Sequence, residues 1–233
     1  MAKEYKSVFF DADDTLFDYP QAERAALLAC HWQFAVPAGE EEFIAAYRRH
    51  NRDVWQMFER GQIDQASLRI ERFRRLAVEL GLTALPLERA SAFYLEELSG
   101  QSLLLPGALE LVKNLARACP LALITNGIAA VQNRRFAASP ITPYFQSIVI
   151  SEAVGIAKPD PRIFAPALER IGVDAGSVLY VGDSVSSDMA AARNAGMDFC
   201  WVNPGGLPVP DGFAPVFVIT SLEEFPLEAV ASD

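Results

Sequence analysis

Six short apolar runs constrain this chain more than anything else in it: Val8–Phe10, Leu121–Ile124, Ile148–Ile150, Val178–Val181, Phe199–Val202 and Val216–Ile219. Each is apolar at consecutive positions, so a strand formed there buries both faces. Stretches of helical texture, roughly 20 residues long, separate the later runs. Buried strands joined by helical crossovers make an α/β fold, a doubly wound and mostly parallel sheet of Rossmann type. In such sheets ligands bind beyond the carboxyl ends of the strands. Those ends carry Asp11 and Asp13, Thr125 and Asn126, Ser151 and Glu152, Asp183, and Asn203, with Lys158 just past the third run. The polar chemistry collects on one edge of one sheet.

The alternation is interrupted once. Residues 18–100 are helical in texture throughout, with Phe43, Tyr47, Val54 and Phe58 at helical spacing, and likewise Ile70, Phe73, Ala77 and Leu80. Gly81 reads as a helix stop, and a shorter helix is expected over Pro86–Leu98. The expected organisation is a core of residues 1–17 and 101–233, interrupted by an all-helical domain over 18–100. Within the insert, Arg69, Arg72, Arg74 and Arg75 read as a solvated helix face.

Charge and hydropathy remove whole classes of function. Lys and Arg number 20 against 30 Asp and Glu, a net charge of −10, which repels phosphodiester polymers and argues against a nucleic-acid partner. No stretch of 18 residues is free of charge, so no membrane-spanning helix and no membrane partner are expected. The first residues hold no apolar export signal, and Cys30, Cys119 and Cys200 are odd in number and scattered, as reduced thiols are. A cytoplasmic location is expected.

The first strand runs into Asp11-Ala12-Asp13-Asp14-Thr15, three carboxylates within four residues. Alone, this is a turn whose acids cap a helix. Two carboxylates about 4 Å apart, however, repel by about 4 kcal/mol at an effective dielectric near 20, so a functional cluster calls for a cation or a shared proton. Candidate cation ligands recur in Gly182-Asp183-Ser184-Val185-Ser186-Ser187-Asp188. Hard oxygen donors without nearby His or Cys point to Mg²⁺ rather than zinc. His31 and His50 both lie in the insert and read as ordinary polar helix residues.

Thr125-Asn126-Gly127 is a hairpin signal by itself, but the helical texture from Ile128 to Ala138 favours a strand-to-helix turn. There the Thr125 hydroxyl, the Asn126 amide and the next backbone N–H groups can hold an oxyanion. Asp160 and Pro161 form a helix start, with Lys158 just before it adding positive potential; alone it would be a surface lysine. No Gly-rich Walker loop and no nucleophile elbow are present.

Taken together and in this order, Asp-x-Asp-x-Thr, Thr-Asn, Lys-Pro and Gly-Asp-x-x-x-x-Asp resemble the haloacid dehalogenase (HAD) superfamily of phosphohydrolases, over residues 6–17 and 103–205. The insert resembles the helical cap of the subclass that carries its cap after the first strand. Within it, Phe9–Phe17, Ile124–Gly127 and Ile150–Pro159 look most like bacterial pyrimidine 5′-nucleotidases of the nucleotide house-cleaning kind.

The resemblance implies that Asp11 is the nucleophile and Asp13 the general acid and then general base. It implies Mg²⁺ held by Asp11, the Asp13 backbone carbonyl and Asp183, with Asp188 acting directly or through water, and phosphoryl oxygens held by Thr125, Asn126 and Lys158. An acid at position 13 argues for phosphate esters rather than haloacids. Asp14 departs from the glycine most common there. The expected activity is Mg²⁺-dependent hydrolysis of nucleoside 5′-monophosphates, pyrimidines preferred, by a monomer or homodimer. Trp55, Phe58 and Phe73 are candidate base-facing aromatics, though their helical spacing reads first as insert core. The alternatives are a phosphatase for a sugar phosphate or phosphoglycolate, or a phosphomutase. A receiver-like phosphate-sensing module fits poorly: its nucleophile sits on a middle strand and it lacks a second acid like Asp13.

Overall fold

The computed structural model describes residues 3–230. Among them, six strands form one sheet: β1 (Ser7–Phe10), β2 (Leu121–Thr125), β3 (Ser147–Ile150), β4 (Val178–Gly182), β5 (Asp198–Val202) and β6 (Phe217–Ile219). The order is β3-β2-β1-β4-β5-β6, and every neighbouring pair is parallel. After β1 come α1 (Tyr19–Gln33), α2 (Glu40–Glu59), α3 (Gln65–Glu79) and α4 (Leu87–Ser99). The later helices are α5 (Ala108–Ala118), α6 (Ala129–Ala137), α7 (Ser151–Val154), α8 (Ala165–Ile171) and α9 (Ala190–Ala195). The chain forms two compact units, one of Met1–Tyr19 with Ser102–Asp233, the other of Pro20–Gln101.

In the first unit, strand periodicity divides the apolar residues between the two faces of the sheet. Val8 and Phe10 of β1, Leu121 and Leu123 of β2, Leu179 and Val181 of β4, and Cys200 and Val202 of β5 share a core with Leu111, Val112 and Leu115 of α5. Phe9, Ala122, Ile124, Tyr180 and Trp201 point the other way, onto Ile163 and Phe164 of the turn before α8, Ala167 of α8, and Ala191 and Ala192 of α9. Both faces are covered, which is why the strands read as unbroken apolar runs. Each fully buried aliphatic side chain contributes ~1.5–3 kcal/mol. The strand order reverses across β1 and β4, so the crevice at their carboxyl ends is the topological switch point.

The second unit is built on α1 to α4. Tyr47, Phe73 and Tyr94 make a ring cluster with centroids 5.0–5.7 Å apart. Phe73 is therefore core, while Trp55 and Phe58 are half-buried and meet edge to face at 5.6 Å. The arginine run divides. Arg74 and Arg75 bond Glu71 on the outer face, whereas Arg72 is only 2% exposed. Its guanidinium lies 4.9 Å from the Tyr94 ring and 5.7 Å from Tyr47, and donates to Asn51 Oδ1 at 3.2 Å. Among the described residues no helix is long and apolar enough to cross a membrane.

Candidate active site

The loop after β1 is wound tightly enough to aim its acids. The Leu16 and Phe17 N–H groups both donate to the Ala12 carbonyl at 2.9 Å, and Asp14 N–H donates to Phe17 O at 3.0 Å. Asp14 has φ 62°, so an aspartate adopts here the left-handed backbone that glycine adopts most readily. The loop after β4 winds as a single π turn over Val185–Met189, started by Ser184, which brings Asp188 back over the strand end. A Cβ on Gly182 would fall 2.6 Å from the Asp188 carboxyl carbon, so only glycine lets that carboxylate lie against the strand.

These loops bring Asp11, Asp183 and Asp188 together: one carboxylate oxygen from each lies within 4.8 Å of the other two. Lys158 enters the cluster from the β3 side. It is 2% exposed rather than on the surface. Its ammonium contacts Asp11, donates to Asp188 Oδ1 at 2.7 Å, and reaches Tyr180 Oη and the Ile124 carbonyl, each at 3.1 Å. The Tyr180 hydroxyl donates in turn to Asp188 Oδ1 at 2.9 Å, and Asp188 Oδ2 accepts from the Ser184 N–H at 3.1 Å. Trp201 Nε1 donates to the Asp183 carbonyl at 2.8 Å and steadies that loop.

One ammonium, bonded to Asp11 and Asp188, cannot balance three carboxylates if all are ionised. Burial is the largest influence on Asp11 and raises its carboxyl above the usual range; Lys158 opposes it and Asp188 adds to it. Asp183 is raised well above the usual value by burial, then by Asp188 and Asp11. Burial alone would pull the Lys158 ammonium down, but Asp11 and Asp188 outweigh it and hold it above its ordinary value. An all-oxygen donor set with unneutralised charge fits a hard divalent cation.

Thr125 ends β2, is 1% exposed, and accepts from Gln132 Nε2 at 3.1 Å. Asn126 spends both polar atoms on the backbone of Lys158, donating to its carbonyl at 2.9 Å and accepting from its N–H at 2.8 Å. Two of the backbone N–H groups expected to cradle an anion are engaged as well: Gly127 donates to Ser151 Oγ at 3.2 Å and Ala129 to Glu152 Oε2 at 2.7 Å. Asp13 points elsewhere, with Oδ1 accepting from Arg135 Nη1 at 2.6 Å and Oδ2 from Gln132 Nε2 at 2.9 Å. The sequence reading did not single out Arg135, Gln132 or Tyr180. Gln132 and Arg135 do stand three apart on one helix, directly beyond Thr125.

A family model described as haloacid dehalogenase-like hydrolase matches residues 5–196. The chain is 34% identical over 218 residues to the pyrimidine 5′-nucleotidase YjjG of Escherichia coli, spanning 93% of this chain and 94% of that protein. It is 33% identical over 224 residues to the pyrimidine 5′-nucleotidase PynA of Streptococcus pneumoniae, covering 94% and 93%. The crystal structure of the HAD-hydrolase YfnB from Bacillus subtilis, bound to magnesium, matches with a TM-score of 0.88 at 32% identity, covering 95% of this chain and 97% of that one.

Proposed function

The chain belongs to the haloacid dehalogenase-like hydrolases, enzymes that here act on phosphoric monoesters, and from that premise we propose that it is a Mg²⁺-dependent 5′-nucleotidase preferring pyrimidine nucleoside monophosphates. The observation that carries the reaction is Asp11, at the carboxyl end of the central strand, held against a buried lysine and beside two further carboxylates. The nucleoside preference is supported by YjjG and PynA, both pyrimidine 5′-nucleotidases similar to this chain over nearly its whole length.

In this reading an Asp11 carboxylate oxygen attacks phosphorus and forms an aspartyl-phosphate. The ester P–O bond breaks, its electron pair stays on the ester oxygen, and that oxygen takes a proton from Asp13. Water then returns a proton to Asp13 as its oxygen bonds phosphorus and the bond to Asp11 breaks, releasing phosphate. Lys158 and the Thr125 hydroxyl balance the phosphoryl oxygens. Asn126 acts by fixing the lysine's backbone, and Asp188 by fixing its ammonium. Asp11 and Asp183, with the Asp13 carbonyl, would hold Mg²⁺; bound there it supplies charge neutralisation for the transferring group.

We assign choice of the nucleoside to the helical unit, which the chain enters directly after the Asp11 loop. The enzyme works in the cytoplasm as a monomer or homodimer; the three buried free thiols support a reducing compartment. A panel of phosphate monoesters tests the reading. Uridine and thymidine 5′-monophosphates should be preferred to sugar phosphates and phosphoglycolate. Equal or lower kcat/KM for the pyrimidine nucleotides removes the nucleotidase assignment and leaves the phosphatase.

A further inference from the structure

Asp13 is held by a set of groups distinct from the lysine-centred cluster. Arg135 Nη1 donates to Asp13 Oδ1 at 2.6 Å and to Gln132 Oε1 at 2.8 Å. The Gln132 amide nitrogen divides its two hydrogens between Asp13 Oδ2 at 2.9 Å and Thr125 Oγ1 at 3.1 Å. The Arg135 guanidinium carbon lies 5.2 Å from the Phe17 ring centroid. Arg135 and Gln132 are 1% and 2% exposed, while the Asp13 side chain is 24% exposed, so the clamp is dry behind a carboxylate that solvent can reach.

The turn after β2 is shaped to admit this clamp. A Cβ on Gly127 would fall 2.6 Å from Gln132 Cγ and 2.9 Å from its amide nitrogen. A buried guanidinium contributes little net stability to a fold, but a charge-assisted bond fixes a carboxylate firmly.

We propose that Arg135 and Gln132 are positioning residues that orient Asp13 for proton transfer and tie it to Thr125. The inference rests on the reading of Asp13 as general acid and base. The two bonds to Asp13 are unequal: Arg135 is a charged donor that also forms an ion pair, and the Gln132 carboxamide is a neutral one. Oδ2 therefore exchanges Gln132 for the ester oxygen, while Oδ1 stays on Arg135 as a pivot. As the ester P–O bond breaks, its electron pair stays on oxygen and takes the Asp13 proton; in the second half-reaction water gives that proton back.

The test compares kcat/KM, with Mg²⁺, for uridine 5′-monophosphate and for p-nitrophenyl phosphate. Glycerol 3-phosphate replaces the nucleotide if the nucleotidase assignment fails. Nitrophenolate departs without a proton, whereas an alkoxide needs one. Arg135→Met is expected to lower kcat/KM for the alkyl ester about 10- to 100-fold, and for the nitrophenyl ester by less than about threefold, with partial recovery in Arg135→Lys. Equal losses on both esters, or no loss on the alkyl ester, overturn the proposal. If Arg135→Met fails to fold, Gln132→Met, which removes no charge, decides by the same comparison. Asp13→Asn separates the two readings. If it leaves the alkyl ester unaffected, the role of Asp13 fails and this inference with it; if it is selective for that ester and the clamp variants are not, the inference alone falls.

Discussion

Replacing Lys158 by methionine keeps the bulk of a buried side chain and removes its charge. The ammonium and its partners are almost fully buried: Lys158 is 2% exposed, Asp11 8% and Asp188 1%. At the 2.7 Å separation from Asp188, the gross attraction is about 6 kcal/mol at an effective dielectric near 20. Desolvation offsets most of that in the intact site. Removing one partner, however, leaves carboxylates buried without a counter-charge, which costs ~3–5 kcal/mol. In a protein of this size that lowers Tm by about 6–20 °C.

The penalty has a sign in pH. The folded Asp11 carboxyl already holds its proton above the ordinary carboxylate range because of burial, and Lys158 is the influence that pulls it back. Without the lysine the folded state keeps that proton to higher pH, while the unfolded chain loses it near pH ~3.9. Stability that depends on a raised carboxyl is present in acid and lost as pH rises; burial holds the folded Asp11 up to about 8 even with the lysine, so the cost of Lys158→Met is flat from about pH 5 to about pH 7 and grows above about pH 8, where the parent alone gives up the proton. Added Mg²⁺ should restore part of it, and turnover should fall about 10²–10³-fold. Urea unfolding of both proteins across this range, with and without Mg²⁺, checks the reasoning. A variant within about 1 kcal/mol of the parent at every pH would show that the lysine is not the counter-charge of this cluster.

Asp11→Asn is expected to abolish turnover while leaving Tm within a few degrees of the parent; near-parental phosphate release would move the nucleophile elsewhere. Asp13→Asn should slow both half-reactions and, from p-nitrophenyl phosphate, whose leaving group needs no proton, leave a phosphoenzyme visible as a gain of about 80 Da by mass spectrometry. Gly182→Ala pushes a methyl group into the Asp188 carboxyl 2.6 Å away, so a loss of ~1–3 kcal/mol and weaker Mg²⁺ binding by calorimetry are expected; unchanged affinity would refute the close approach. Burial raises the Cys30 and Cys200 thiols to about 12 and Cys119 to about 11, so none should react with a disulfide reagent at neutral pH until the protein unfolds. Rapid labelling of the native enzyme would contradict that.

β1 to β5 were legible because both their faces are largely buried, and the site was legible because a polar residue ends or directly follows each of them. What escaped depends on contacts across the sequence. Its position and the resemblance place Lys158 at the site, but its burial was not legible, because it comes from β1, β2 and β4 converging on it. Gln132 and Arg135 stand in the polar stretch Gln132-Asn133-Arg134-Arg135, and only their partner Asp13, more than a hundred residues earlier, shows which face of α6 turns inward. Arg72 is different, since a local signal existed: it lies four residues after Leu68 and four before Leu76, on the buried stripe of α3, and its charge concealed the spacing. The positive φ of Asp14 was signalled only by the resemblance, which has glycine most often at that place, and not by the residue itself.

The neighbours of β1 have a consequence for how this enzyme is born. On one flank β1 pairs with β2, on the other with β4, and Lys158 meets Asp11 across a separation of 147 residues. A ribosome therefore makes the strand that carries Asp11 before either of its flanks, and β4 well after β2. Through that interval the helices of 20–101, whose contacts are near in sequence, can condense, while β1 waits with an unpaired edge. A nascent chain stopped before β4 holds Asp11 and Lys158 but neither Asp183 nor Asp188, so the acidic cluster closes only after β4 and the loop behind it have been made.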